Sequence, residues 1–365
     1  MKITALNGVH HKLKAEMANV AGWEMPLVYT DAVKEHLHLR SHCGLTDFSC
    51  MGEIDIKGPD STILLEKLMV NEIATAPVGK VVYTTMLNED GITIDDVTVF
   101  HLDDKHYIIV TSTATHNKSW NWIKQKAEKY EVYLTDVCAE YSLVSIQGPM
   151  SKDVLQKVTN VNLDKLKYFW ATQGEISDIS CLISRTGFTG ELGYELYHPA
   201  YYANDLWNVL TDAGQPEQIW PIGLRCCVAT LRLEKAYMMG SELQGSTPLE
   251  LPISWTVKFN KDFIGKSALL RQKQEGLKRK LVGFTVENGI CKAGSKIKKD
   301  GLEVGVVTSA GYGPTVKQNI ALGFVSSKFA NLGEKFEVSD ENKNILKLEI
   351  VPIPFFDPRG VRLRV

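Results

Sequence analysis

Apolar and polar residues alternate from 51 to 57, with Ile54 and Ile56 on one side and Glu53 and Asp55 on the other, as in a strand with one buried face. Gly58-Pro59 then turns the chain. Ile63, Leu64 and Leu68 share one face of a short helix that Asp60 is placed to cap and that Pro77 and Gly79 close off. Residues 83–87 and 96–101 read as a hairpin across Asn88-Glu89-Asp90-Gly91. A strand at 106–113 and a helix with Trp120, Ile123, Ala127 and Tyr130 on one side follow. A similar series comes next: strand 141–147, the turn Gly148-Pro149, a helix with Val154, Leu155 and Val158, strands at 179–185 and 194–198, and a helix around 206–210. The two strand, Gly-Pro, helix openings predict an internal α+β duplication. After a helix at 266–274 the texture changes to short strands punctuated by glycine, at 281–286, 303–308, 320–325, 335–338 and 346–351. These predict a small β-barrel or sandwich of about ninety residues. The polar stretch 275–280 sets the boundary, giving domains 1–275 and 276–365.

Composition acts chiefly by exclusion. A chain of 365 residues that is 44% hydrophobic and 23% charged has room for two or three buried cores and is neither disordered nor a coiled coil. Its 41 basic and 43 acidic side chains, without a basic block, make nucleic acid an unsuitable partner, so a small molecule is expected. The seven cysteines (Cys43, Cys50, Cys138, Cys181, Cys226, Cys227 and Cys291) are odd in number, and no two have the two-residue gap of a zinc or redox pair. Neither a disulfide scaffold nor a metal site is expected. The first residues lack the apolar core of a signal peptide, and no stretch reaches the ~18 apolar residues of a membrane span. A reducing, cytoplasmic location without membrane association is the expectation.

Most candidate motifs have bland readings. Gly265-Lys266-Ser267 lacks the glycine five residues earlier that a phosphate loop needs. Gly187, Gly190 and Gly193 suit a turn between strands better than a dinucleotide site. His36, His38 and His42 do not all share the one face that a chelating set needs and read as the solvated side of a helix carrying Val33, Leu37 and Leu39. Cys226 and Cys227 read as small core residues of an apolar helix. Two carboxylates stand out. Asp95 and Asp96 open the strand 94–100, where alternation sends Asp96, Thr98 and Phe100 to one face and Asp95, Val97 and Val99 to the other. Glu195 interrupts an apolar strand just after the turn 185–190. A wet sheet face and a functional pocket are equally compatible with it.

The segments AGWEMPLVYTD (21–31), MGEIDIKGPD (51–60), MLNEDGITIDD (86–96), QGP (147–149), SRTGFTGELGYELY (184–197), TPLE (247–250), KDFIGKSAL (261–269) and VTSAGYGPT (307–315) together resemble the aminomethyltransferase family, whose founding member is the T-protein of glycine cleavage. The resemblance runs in order over essentially the whole chain. It implies a cloverleaf of two interleaved folate-binding α+β subdomains plus a C-terminal β-barrel, with tetrahydrofolate in a central channel. It also implies a lipoylated H-protein as donor of an aminomethyl group, ammonia as product and tetrahydrofolate as one-carbon acceptor. By the same resemblance Asp96 is the catalytic carboxylate beside the accepting nitrogen, Glu195 grips the pterin edge, and Tyr83, Met51 and Phe188 flank the ring, Phe188 in place of a tyrosine. Ser112 lines the pocket where an asparagine is common, and Cys50 replaces a histidine. The family's Gly-Leu-Gly-Ala-Arg-Asp reads Gly223-Leu224-Arg225-Cys226-Cys227-Val228 here, so Cys227 takes the place of the arginine that holds the glutamyl tail. Arg225 lies about 200° round an α-helix from it, and Arg362 or Arg364 is the compensating candidate. Sister branches that demethylate small amines, sulfonium or methoxy compounds onto tetrahydrofolate without an H-protein are the alternative. A non-catalytic folate-binding branch is disfavoured, because Phe263 stands where it carries a cysteine.

Overall fold

The computed structural model describes residues 1–342 and 344–365. Five antiparallel strands form the first sheet in the order Val81–Leu87, Thr93–Asp103, His106–Thr111, Gly52–Lys57, Tyr133–Asp136. Six form the second, in the order Ala171–Ile176, Ile179–Ser184, Gly193–Pro199, Tyr141–Gln147, Gly44–Asp47, Trp220–Pro221. Helices Ser61–Leu68 and His116–Ala127 cover one face of the first sheet. Helices Ser151–Gln156 and Ala203–Ala213 do the same for the second. The opposite faces meet in a shared apolar layer that includes Val81, Phe100, Val110, Leu143, Leu182 and Tyr197. Such two-sided burial suits the strands Tyr141–Gln147 and Ile179–Ser184 of the second sheet, which carry no charged residue. A strand from before the first sheet, Gly44–Asp47, is built into the second, so the subdomains interleave as expected.

The expected duplication is visible at the two Gly-Pro turns. Gly58 has φ of +131° and Gly148 of +119°, and each leads from a central strand into a helix. A side chain at either would collide with backbone: a Cβ on Gly58 would lie 2.6 Å from the Glu131 carbonyl, and one on Gly148 2.3 Å from that of His42. Glycine is therefore required twice at equivalent points. The last six strands close a barrel in the order Arg279–Glu287, Gln318–Ser326, Leu302–Gly313, Lys296–Lys299, Lys335–Ser339, Ile345–Val351. All five expected strands are present, and Lys296–Lys299 is the one that the apolar pattern missed, since only Ile297 in it is buried. The chain then leaves the barrel: Arg185 holds the Leu363 and Val365 carbonyls, pinning the last residues to the second sheet. No helix among the described residues is long and apolar enough to cross a membrane.

Two local expectations fail for identifiable reasons. Helix Ser61–Leu68 buries Leu64, Leu65 and Leu68, while Ile63 is exposed, and the Asp60 carboxylate accepts the Glu131 N–H at 2.9 Å instead of capping the helix. The helix Ala32–Ser41 is turned the other way from expectation. Val33 and Leu37 face solvent, while Glu35, His36, His38 and Arg40 are buried. Hydrogen bonds drive this inversion. Glu35 accepts the N–H groups of Tyr29, Thr30 and Gly223, and His36 sits between the hydroxyls of Thr230 and Thr315 at 2.9 and 2.6 Å. Buried polar groups persist where partners compensate their desolvation, and here a loop, a helix and the barrel supply them.

Candidate active site

Strand alternation does split the two aspartates. Asp95 turns toward the covering helix, accepting the Ser119 hydroxyl at 2.9 Å and the Ser112 N–H at 3.2 Å. Asp96 points to the other face, where it accepts the Tyr83 hydroxyl at 2.9 Å and the Ser112 hydroxyl at 3.5 Å. Cross-strand pairing explains the Tyr83 contact: Val81–Leu87 lies beside Thr93–Asp103 with Tyr83 opposite Thr98 and Thr85 opposite Asp96, so the phenol reaches diagonally to the carboxylate. Burial and the neighbouring Asp95 charge push the Asp96 carboxyl from its usual 3.8 up to about 7. A carboxyl poised there exchanges a proton readily near neutral pH.

Glu195, on the strand Gly193–Pro199, belongs to the second subdomain. Its carboxylate accepts the Thr186 hydroxyl at 2.5 Å, and burial holds it above the ordinary carboxylate range. Glu195 is half-buried, and no cation pairs with it among the described residues. Phe188 lies 5.8 Å from the ring of Tyr237, and burial, with the Glu195 charge contributing, holds the Tyr168 phenol above its usual range. The Tyr83 ring is 6.4 Å from that of Trp255. Met51 is half-buried beside the Thr113 hydroxyl, which also contacts Cys50. Tyr168 and Tyr237 lie in irregular chain and Trp255 in a single 3-10 turn, Ser254–Thr256, so no periodicity assigns any of them a face. A cavity of about 500 Å³ lies elsewhere, between Lys80, His101, Lys165 and Trp170, and takes in none of the expected residues.

Residues 6–261 match the GCVT N-terminal domain, and residues 279–357 match the glycine cleavage T-protein C-terminal barrel domain. The chain belongs to the glycine cleavage T-protein family. It is similar to an aminomethyltransferase of Halothermothrix orenii, at 42% identity over 97% of this chain and 100% of that one. An aminomethyltransferase of Desulfitobacterium hafniense is 36% identical over 99% of each chain. The crystal structure of glycine cleavage system aminomethyltransferase T from Bartonella henselae superposes with a TM-score of 0.91 at 27% identity, covering 98% of each. The resemblance read from the sequence and the α+β fold with its terminal barrel are thereby borne out.

Against the T-protein pattern, the altered helix is the principal departure. It widens to a π-helix over Cys226–Leu231, so angular positions counted at 3.6 residues per turn do not apply to it. The register shift does not bring Arg225 inward. That side chain pairs at the surface with Glu16 at 2.7 Å, while the Cys227 thiol is buried 3.6 Å from the Thr46 hydroxyl. Arg232 is structural, bonded to the carbonyls of Val228 and Tyr237 and to Ser309. Of the two compensating candidates, Arg362 grips buried Glu191 at 2.7 Å and the Arg40 carbonyl at 2.5 Å. Arg364 lies over the Tyr168 ring, 5.8 Å from its centroid, and among the described residues its side chain bonds only the carbonyls of Arg359 and Gly360.

Proposed function

We propose that the protein is the tetrahydrofolate-dependent aminomethyltransferase of a glycine cleavage system. It would take the aminomethyl group from the lipoyl arm of an H-protein, release ammonia and pass the one-carbon unit to tetrahydrofolate. The observation that carries this reading is Asp96, a half-buried carboxyl poised near neutrality and oriented by Tyr83 and Ser112. When bound, tetrahydrofolate supplies the nitrogen that accepts the carbon. Asp96 holds that nitrogen in place and relays its proton, for which a pKa near the working pH is best suited. Glu195 accepts parallel N–H donors from the pterin edge, and those donors draw its raised pKa back down by favouring the ionised form. Tyr83, Tyr237 and Phe188 provide flat walls, and Met51 an adaptable one. Arg364, having no carboxylate partner among the described residues, is a better supported cation for the glutamyl tail than Arg362, whose charge Glu191 already answers.

An assay with aminomethyl-loaded H-protein and tetrahydrofolate should release ammonia and form methylene-tetrahydrofolate. Methyl-tetrahydrofolate formed from a small methylated donor, with no turnover of the H-protein, would replace this reading by a demethylase. Replacing Glu195 by Gln removes a charge-assisted acceptor of about 1.5–3 kcal/mol. The expected result is a rise of roughly 10- to 100-fold in KM for tetrahydrofolate, with kcat changed far less. An unchanged KM would remove Glu195 from the folate site.

A further inference from the structure

A second cluster of reactive side chains lies beyond the folate-facing residues, on the other side of the loop that carries Ser112. His116 is the first residue of the helix His116–Ala127, Asp136 the last of the strand Tyr133–Asp136, and Cys138 follows two residues later. The His116 Nε2 is 3.1 Å from Asp136 Oδ2 and 3.5 Å from Cys138 Sγ, and the three atoms all lie within 4.8 Å of one another.

The surrounding hydrogen bonds leave these three atoms as acceptors. The Thr111 hydroxyl donates to the Gly52 carbonyl at 3.2 Å and sits 2.9 Å from His116 Nδ1. With that single proton committed, Nδ1 is the donor, so in the neutral ring the Nε2 lone pair faces Asp136 and Cys138. Cys138 Sγ receives the Glu53 N–H at 3.1 Å, whereas the carbonyl to which its own thiol would donate, that of Glu53, is 3.7 Å away. Asp136 uses Oδ1 for the Cys138 N–H at 3.2 Å, leaving Oδ2 for the cluster. Three acceptors thus converge, each oriented from behind by a backbone or hydroxyl group, which is how outer partners hold metal ligands.

We propose that His116 Nε2, Cys138 Sγ and Asp136 Oδ2 bind a zinc-class divalent cation, with a fourth position open to solvent. One imidazole, one thiolate and one carboxylate suit a borderline-soft ion rather than magnesium or calcium, which prefer oxygen alone. The Asp136 side chain is 41% exposed and His116 12%, so the ion has a path in. The cation ties the start of this helix to the chain that links the two subdomains. One turn further along, Ser119 of the same helix holds Asp95, and Ser112 just before it contacts both aspartates. The metal is thus a clamp on the support of Asp96, not a reactant.

The test uses full-length protein stripped by a chelator, then equilibrated with Zn²⁺ and, separately, with Co²⁺ as a spectroscopic probe. The wild type should retain one zinc per chain and show a thiolate-to-cobalt charge-transfer band. Zinc affinity should fall by at least about tenfold in Cys138→Ser and His116→Gln, a minimum set by what even outer-shell partners contribute, and the band should vanish in Cys138→Ser. Asp136→Asn, a half-exposed change that the fold tolerates, should weaken zinc binding with the metal-free melting curve unchanged, which keeps the test decisive if either other variant misfolds. Zinc binding that is absent from the wild type, or equally strong in all three variants, would reduce the cluster to a His–Asp ion pair and overturn the proposal.

Discussion

Replacing Asp96 by Asn is expected to abolish most turnover and, at the same time, to make the protein more stable at neutral pH. Loss of a positioned proton carrier costs roughly 10²- to 10⁴-fold in rate. The amide preserves shape and can still accept the Tyr83 hydroxyl, so tetrahydrofolate binding should change little. The stability gain follows from the raised pKa. Between the unfolded value of 3.8 and the folded value of about 7 the native state holds the extra proton, so this group's contribution to stability falls as pH rises through that window. A shift of about three units corresponds to at most about 4 kcal/mol, and a polar, partly open surrounding reduces the expected gain to roughly 1–2 kcal/mol at pH 8. The gain should shrink as pH falls toward 4 and vanish below the unfolded value of 3.8, where wild-type Asp96 is neutral in both states. Thermal melts of the two proteins across that range, beside single-turnover assays, check both halves. A variant that is inactive yet no more stable at pH 8 than at pH 4 would mean that Asp96 is not held near neutrality by burial.

That trade of stability for reactivity also explains what was legible in the chain. The separation of Asp95 from Asp96 needed only the two-residue period of a strand, and the duplicated Gly-Pro turns needed only the steric demand of a positive φ, so both could be read locally. Helix Ala32–Ser41 could not. Its polar side is inside because Glu35, His36 and Arg40 find partners more than 100 residues away, such as Thr315 and Glu234, and periodicity carries no information about those. The same limit hid Tyr168 and Tyr237, which lie in irregular segments, and it hid the proposed metal-ligand set, whose members are 22 residues apart at their furthest and meet only in the folded chain. Residue counting along the Cys226–Leu231 helix misjudged geometry for another reason: a wider turn invalidates the angle assigned to each position.

Replacing Arg40 by Met should destabilise the protein by about 3–5 kcal/mol, the usual result of removing one partner from a buried ionic network. Its guanidinium joins Glu191 at 3.0 Å, Glu234 at 3.1 Å, the Thr189 carbonyl at 2.8 Å and Thr315 of the barrel at 3.3 Å. Arg40, Glu191 and Glu234 are all nearly inaccessible, so Met would leave Glu234 with only the His36 ring and its backbone donors, and Glu191 with the half-exposed Arg362. Arg40 therefore fastens three parts at once: the turn bearing Phe188, the helix end at Leu231 and the barrel. The loss has a pH signature. Although desolvation opposes it, hydrogen bonding and charge from His36, with Arg40 adding to them, hold the Glu234 carboxyl down at about 2 against 4.5 unfolded. A depressed carboxyl stabilises the fold above its unfolded value and loses that contribution as pH falls toward 2, so the gap between wild type and variant should be full at pH 6 and should narrow below pH 4.5. Denaturant midpoints with an unchanged slope measure it directly. Because the same turn leads into the Glu195 strand, KM for tetrahydrofolate should rise in the folded variant even though Arg40 touches no ligand. Arg40→Lys should recover only part of the stability, since one ammonium cannot reach both carboxylates and the Thr189 carbonyl in the geometry of a planar fork. Full recovery by lysine, or a pH-independent gap, would show that packing against Phe356, 4.3 Å from the guanidinium, rather than charge accounts for the role of Arg40.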